Sequence, residues 1–360
     1  MRIESLDYDL PADRIATQAT EPRDAARLMV VDRTSQRVVH RRVADLGSED
    51  AGILRAGDLL LMNRTTVLPA QFEGTRRGTG GKVGGLYLGS QATDRWSVLL
   101  ESRGRLVEGD IIELDFETHF ELLASGGHGN WSVRVESTLE TPELLDRIGS
   151  MPVPPYIRKQ RRIQGQSEID DDDRHRYNTV FGDQPGSVAA PTASLHFTAA
   201  LLDRLRDRGI EIATLCLHVG LGTFAPIRTK TVEDHAIHRE WIEIPEATIG
   251  AIRRARNEAR RIIPIGTTAV RAIESLPEPL PERFQTLTGL YIHPDAVRQG
   301  TFRFRFTDAL MTNFHLPRSS LLALVAALPD VGIEKLLAWY DLAVRDEYRF
   351  YSYGDAMLLV

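Results

Sequence analysis

The chain has 360 residues, of which 42% are hydrophobic, and a net charge of −6. This length allows a substantial core and two domains of ordinary size. The composition excludes a membrane-spanning helix, because no apolar run approaches the roughly 20 residues that one needs. It also excludes a strongly basic nucleic-acid binder, so any RNA contact must be local. The N-terminus lacks the apolar stretch of a signal peptide, and we therefore expect a cytoplasmic protein.

The apolar run within 58–62 predicts a short buried strand, and helical periodicity disappears after it. From residue 67 to about 138, strand-like runs alternate with glycine-rich turns, a pattern typical of a small barrel or sandwich. The prolines of 152–155 favour an extended connection and not a helix. We therefore predict that 67–150 form a compact β-rich module, inserted into a domain made of 1–66 and 151–360.

Strands and helices alternate after Thr198. The pattern predicts a helix over 201–208, a strand over 211–217, a helix over 246–261 and a strand over 261–265. Such alternation favours an α/β domain with parallel strands. The only cysteine, Cys216, lies in one of these strands, which indicates a buried structural thiol and excludes an internal disulfide.

Five passages place His, Thr and Gly in turn-like surroundings that a plain core element would not need. They are 189–198, 217–224, 265–271, 312–317 and 348–356. Two of them follow predicted strands, and ligands of α/β sheets bind beyond the carboxyl ends of the strands. We therefore expect the five passages to form one composite pocket.

His196 is the first candidate for acid–base catalysis, because imidazole carries protons near neutral pH. Thr192, a candidate for substrate binding, or Ser194 is positioned to cap the following helix. The alternative for His196 is a hydrogen bond to a loop. The cluster of 233–240 supplies two further candidates, His238 and Glu240, for proton transfer or substrate hydrogen bonding. Its spacing matches no recognised zinc site.

The remaining candidates are expected to bind substrate. Glycines after the strand of 211–217 let backbone amides approach a nucleoside or a carboxylate, but the third glycine of a dinucleotide site is missing. Hydroxyls at the start of the helix near 267 favour an anion, or they only cap that helix. The tyrosines near the C-terminus either stack on a base or close the core. The substrate-binding candidates of these passages are His218, Gly220, Gly222, Thr223, Gly266, Thr267, Thr268, Arg271, Asn313, His315, Tyr353 and Asp355.

These passages, in this order, resemble the S-adenosylmethionine:tRNA ribosyltransferase-isomerase family of queuosine biosynthesis, from Tyr8 to Met357. The resemblance implies an α/β domain with an inserted small β-barrel, and 235–240 match a His-x-x-His-x-Glu motif of the family. It implies that S-adenosylmethionine donates its ribosyl group to 7-aminomethyl-7-deazaguanine in a tRNA with a GUN anticodon. No metal or redox cofactor is implied, and we expect a monomer.

The chain departs from the family pattern at five positions. Arginines are expected where Thr66, Gln71 and Ala225 stand, a glutamate where Gly84 stands, and a glycine where Ser194 stands. Cationic side chains suit phosphate and carboxylate recognition. Two alternatives therefore stay open: a diverged enzyme that uses another acceptor, and an RNA-binding relative without turnover.

Overall fold

The computed structural model describes residues 1–115, 117–220, 227 and 229–360. Its strands are β1 Arg27–Val31, β2 Val38–Arg42, β3 Leu59–Asn63, β4 Thr65–Val67, β5 Gln71–Arg76, β6 Lys82–Ala92, β7 Arg95–Ser102, β8 Ile111–Glu113, β9 His119–Gly127, β10 Asn130–Glu136, β11 Gln184–Ser187, β12 Glu211–Leu217, β13 Glu240–Ile244, β14 Ile262–Ile265, β15 Phe284–Thr288, β16 Leu310–Asn313 and β17 Ala356–Leu359. Its α-helices are α1 Thr141–Ile148, α2 Pro155–Ile163, α3 Asp173–Arg176, α4 Ala199–Asp207, α5 Glu246–Asn257, α6 Thr267–Glu274, α7 Pro294–Arg298, α8 Ser320–Ala326 and α9 Gly332–Arg345.

The main sheet has the strand order β15-β13-β12-β3-β14-β16-β17-β1-β2 within the described residues. Its centre, β12-β3-β14-β16, is parallel, as predicted. The outer strands are mixed, because β13, β15, β17 and β2 each run antiparallel to a neighbour. Every residue of β3, β14 and β17 is buried, whereas β13 and β15 include partly exposed positions.

The inserted module is a closed antiparallel barrel of β5 to β10, in the order β10-β7-β6-β5-β8-β9. Large side chains on the inward positions fill it, among them Phe72, Trp96 and Phe120. Phe72 lies opposite Gly85, and a Cβ at Gly85 would stand 2.1 Å from the Phe72 ring. The predicted fold class, an α/β domain with an inserted small β-barrel, is thus confirmed. The boundaries at 66/67 and 150/151 stay a prediction.

Two local predictions about helices are wrong. Thr198, and neither Thr192 nor Ser194, caps α4, since its hydroxyl accepts the Leu201 amide at 3.1 Å. Helix α5 ends at Asn257 instead of 261, because Ala259 adopts a left-handed conformation with φ 52° that terminates the helix. Among the described residues, no helix is both long and apolar enough to cross a membrane.

Candidate active site

The four parallel strands at the centre of the main sheet end at one edge, and the predicted site residues follow them. Asn63, the last residue of β3, joins two of these ends: its amide donates to the Leu217 carbonyl at 2.9 Å, and its Oδ1 accepts the Leu217 amide at 3.1 Å. The same side chain reaches the Thr268 hydroxyl of α6 at 3.5 Å. A polar network therefore connects β3, β12 and α6 where the sequence predicts ligand binding.

Gly266 begins α6 with φ 93°, a conformation that favours glycine. A Cβ there would lie 3.5 Å from Ala193, so the turn that carries His196 packs directly against this helix start. The Thr267 and Thr268 side chains are buried beside it. Local packing thus brings the passages of 189–198 and 265–271 together.

His196 and Asn313 form a buried hydrogen-bonded pair. The Asn313 amide nitrogen lies 3.2 Å from Nε2 of His196, and its Oδ1 accepts the Thr192 hydroxyl at 2.8 Å. Because an amide NH₂ only donates, Nε2 of His196 is an acceptor and the imidazole is neutral. Burial, with Arg349 and Arg23 nearby, lowers the pKa of His196 to about 4. His196 is thus an unprotonated ring at neutral pH.

His315 is also buried and neutral. Its Nε2 lies 2.7 Å from the Thr312 hydroxyl, and burial lowers its pKa to about 3. The neighbouring Phe314 packs against Tyr340 and Phe350 in the core, at centroid distances of 5.4 and 4.9 Å. The residues 314–315 therefore pack in the core and stabilise the end of β16.

His218 stands at the end of β12 in a second polar cluster. Its Nδ1 lies 2.9 Å from the Thr65 hydroxyl, and its ring stacks on Trp241 at 4.9 Å. Burial lowers the pKa of His218. The nearby Cys216 thiol is buried, as predicted, and burial raises its pKa to about 11. Such a thiol is unreactive at neutral pH.

His238, Glu240 and Arg271 line a small cavity of about 20 Å³. Arg271 and Glu240 form a buried ion pair, and the other oxygen of Glu240 accepts the Gly220 amide at 2.9 Å. His238 is exposed at the rim. A glycine amide of the 217–224 passage is thereby tied to the motif of 235–240 and to α6.

A larger cleft of about 640 Å³ lies between the barrel and the main domain. Glu73 and Glu101 on the barrel face Tyr156, Arg158 and other residues of the main domain across it, and Gly220 belongs to its wall. The hydrogen bond between Gly220 and Glu240 thus links one residue of the cleft wall to one residue of the small cavity. Ala189, Gly220, Leu316 and Pro317 belong to passages that were expected to form the pocket. The contribution of the barrel strands to this cleft was not predicted, since strand alternation shows which side chains point outward but not what covers them.

Tyr353 and Asp355 have internal roles. The Asp355 carboxylate accepts the amides of Arg27 and Arg349 at 2.9 and 2.8 Å, which ties the C-terminal strand to its surroundings. The Tyr353 hydroxyl donates to Asp173 at 2.7 Å. Asp173 also pairs with Arg161, and both side chains are 2% exposed. Neither cavity is lined by Tyr353 or Asp355 in the described part of the chain.

Two of the five departures, Gln71 and Gly84, line the large cleft. Ser194 lies in a short 3₁₀-helix, where its buried hydroxyl has no hydrogen-bond partner. Thr66 is half-buried on β4. The predicted binding residues Gly222 and Thr223, and the departure at Ala225, lie outside the described residues. Within the described chain, no three His, Cys, Asp or Glu side chains are grouped to hold a metal ion.

The fold defines a class of protein: an α/β protein with an inserted β-barrel and a cleft between the two. The family model described as "Queuosine biosynthesis protein" matches residues 3–359. The chain therefore belongs to the queuosine biosynthesis family, and it is a transferase.

Individual relatives match the chain over its whole length. It is 44% identical to the S-adenosylmethionine:tRNA ribosyltransferase-isomerase of Gloeobacter violaceus, over 99% of this chain and 95% of the relative. It is 40% identical to the enzyme of the same name from Desulfitobacterium hafniense, over all of both chains. The crystal structure of S-adenosylmethionine tRNA ribosyltransferase from Thermotoga maritima is similar with a TM-score of 0.53 and 29% identity, over 99% of this chain and 100% of that one.

Proposed function

We propose that this enzyme transfers the ribosyl group of S-adenosylmethionine to 7-aminomethyl-7-deazaguanine in tRNA and isomerises it. The products are epoxyqueuosine in the tRNA, adenine and methionine. The observation that carries the proposal is the cleft between barrel and main domain, whose wall at Gly220 is bonded to the buried pair of Glu240 and Arg271. Relatives named for this activity cover the whole chain.

The cleft fits a nucleoside that carries a positive charge. Its walls are largely apolar, with Leu86, Leu99 and Pro154 among them, and they suit an adenine ring. The carboxylates of Glu73 and Glu101 lie on one side, where Gly84 stands between them in the strand register. Carboxylates at this position favour the binding of two positive groups, the sulfonium of S-adenosylmethionine and the aminomethyl group of the deazaguanine base.

His238 is the residue that we propose to move a proton. Of the three predicted acid–base residues, it is the exposed one that lines a cavity. Both oxygens of Glu240 accept hydrogen bonds, from Gly220 and from Arg271, so we assign Glu240 the positioning of Arg271. His196 is buried against Asn313, and we assign it the support of the strand end.

S-adenosylmethionine enters as a substrate, and the chemistry as proposed calls for no metal or redox group. The tRNA partner has a GUN anticodon, and the enzyme acts as a cytoplasmic monomer. Its net charge of −6 requires a local contact surface for RNA. Arg158 at the cleft is one candidate, although it lies 3.4 Å from the Glu168 carboxylate.

Adenine release tests the proposal. The enzyme is incubated with S-adenosylmethionine and tRNA that bears 7-aminomethyl-7-deazaguanine, and free adenine is measured by chromatography. We expect adenine in step with modified nucleoside, and none when the same tRNA carries guanine. Adenine release that is independent of tRNA would contradict the proposal.

A second candidate, transfer to another acceptor, is favoured by one observation. Gln71 and Gly84, which replace a charged pair of residues in the family pattern, both line the cleft. A Cβ at Gly84 would meet no atom within 4 Å, so the cleft is open there. If the enzyme uses another acceptor, we expect adenine release with the free deazaguanine base and none with the modified tRNA.

A further inference from the structure

The small cavity beside Glu240 contains two buried polar groups that have no hydrogen-bond partner. They are Nη2 of Arg271 and the hydroxyl of Tyr291, and both residues line the cavity. The Arg271 side chain is only 6% exposed. A buried donor without an acceptor costs free energy. Two such donors around one cavity indicate that an acceptor binds between them.

The other donors of Arg271 are already engaged. Its Nη1 donates to Glu240, and its Nε donates to the Leu290 carbonyl at 3.1 Å. These two contacts hold the planar guanidinium in place and leave Nη2 available. A guanidinium held in this way is suited to an oxyanion, because its donors are fixed in one plane and always charged.

Tyr291 contributes a neutral donor. Burial raises the pKa of its hydroxyl well above the ordinary value, so the hydroxyl stays protonated at neutral pH. Ile237, Ile292, Leu321 and Leu324 supply apolar walls, and His238, Ser320 and the Glu240 carboxylate, which is paired with Arg271, complete the lining. The volume of about 20 Å³ is enough for one oxygen-sized atom. The cavity thus combines a charged donor, a neutral donor and space for a single oxygen.

We propose that this cavity binds one oxygen of a carboxylate, and, resting on the proposed function, that the carboxylate is that of the methionyl group of S-adenosylmethionine. Gly220 belongs to the wall of the large cleft and bonds Glu240 at the cavity. In the proposed pose, S-adenosylmethionine lies in the cleft and extends its methionyl group past Gly220 toward Arg271. A phosphate of tRNA offers the same oxyanion chemistry, but the polynucleotide backbone does not reach a side chain that is 94% buried.

Tyr291→Phe is the variant that tests the proposal. It removes one hydroxyl that has no protein partner, so folding does not depend on it. Arg271 is less suitable, because its replacement leaves the buried Glu240 without its ion pair. Tyr177→Phe is the matched control, since it also removes the hydroxyl of a buried tyrosine but Tyr177 lines neither cavity.

The full-length enzyme is assayed for the Kd of S-adenosylmethionine by equilibrium dialysis, with and without tRNA, and for the KM of S-adenosylmethionine in adenine release. We expect Tyr291→Phe to raise both constants about tenfold, the effect of one hydrogen bond to a charged group. The Ki of decarboxylated S-adenosylmethionine, used as a competitive inhibitor, and its Kd in dialysis should stay within twofold. Tyr177→Phe should leave all of these constants within twofold.

Four results would overturn the proposal. Unchanged affinity for S-adenosylmethionine means that the two donors hold only a water molecule. An equal loss of affinity for the decarboxylated compound means that the hydroxyl does not contact the carboxylate. Weaker tRNA binding with unchanged affinity for S-adenosylmethionine means that the cavity binds a phosphate of tRNA. If the wild type binds S-adenosylmethionine but releases no adenine, the proposed function fails, while the Kd ratio still decides the carboxylate site. No binding under either condition overturns both.

Discussion

Single polar residues around the strand ends divide into those that have internal partners and those that face a cavity. His196 and His315 bond Asn313 and Thr312 inside the protein. His238 lies at the rim of the small cavity instead. An acid–base group must reach the proton that it moves, so position favours His238 over the two buried rings.

His238→Gln should therefore lower the rate of adenine release at saturating substrate by about 10²–10⁴, the range for a positioned acid–base group. The glutamine amide keeps the approximate shape of the ring but does not take up or release a proton near neutral pH. The matched control is His175→Gln, because His175 is also an exposed histidine but lines neither cavity. A similar loss of rate in both variants contradicts this role for His238.

The lowered pKa of His315 predicts how the free energy of unfolding depends on pH. Its pKa in the folded state is about 3, whereas the ordinary value is 6.5, so below pH 6.5 the unfolded chain binds a proton that the folded chain does not. The free energy of unfolding therefore falls as the pH decreases from 6.5 to about 4, by about 1.4 kcal/mol per pH unit for this group. Above pH 6.5 this contribution is fully present.

Urea unfolding of the wild type and of His315→Gln at pH 7.5, 6 and 5 measures this contribution. The glutamine variant can still bond Thr312 but has no proton to gain, so its stability should decrease less between pH 6.5 and 5. Equal pH dependence in the two proteins would show that His315 already titrates normally in the folded state.

At the scale of elements, the barrel depends on close contact between strands. Phe72 of β5 lies over Gly85 of β6, and its ring packs edge-on against Phe120 at 5.8 Å. The ring is buried and cannot move aside without disturbing the core. The adjacent Gly84 points outward into the large cleft, where a Cβ would meet nothing.

Gly85→Ala should therefore lower the free energy of unfolding of the barrel by about 1–3 kcal/mol, the usual cost of overpacking. Gly84→Ala adds the same methyl group one residue away and should change stability by less than about 0.5 kcal/mol. Thermal unfolding monitored by tryptophan fluorescence reports on this region, because Trp96 and Trp131 lie in the barrel core. Equal stability of the two variants is the contrary outcome.

The same elements show how much of the fold the sequence predicts. The alternation of inward and outward side chains in β7 and β10 is predicted directly from the sequence, because it depends only on neighbouring residues. The strand over 211–217 is predicted in the same way. The antiparallel outer strands of the main sheet do not, because pairing between distant segments is set by tertiary contacts. Residue types likewise indicate Arg271 and Glu240, but the partner Tyr291 is recognisable only from the fold, since it lies in no motif.

At the scale of the whole molecule, the insertion places a barrel surface opposite the ends of the central strands. The cleft between them takes side chains from β5, β6 and β7 on one side and from 152–158 on the other. Neither part alone encloses the cleft. We therefore propose that S-adenosylmethionine binds between the two parts and supplies a ribosyl group there.

The most direct test of that claim uses two preparations of S-adenosylmethionine, one labelled in the ribose carbons and one in the methyl group. Each is incubated with the enzyme and with tRNA bearing 7-aminomethyl-7-deazaguanine, and the digested nucleosides are analysed by mass spectrometry. We expect the ribose label to appear in the modified nucleoside and the methyl label to leave with methionine. A methyl label on the tRNA, with the ribose label retained in S-adenosylhomocysteine, would contradict the proposal.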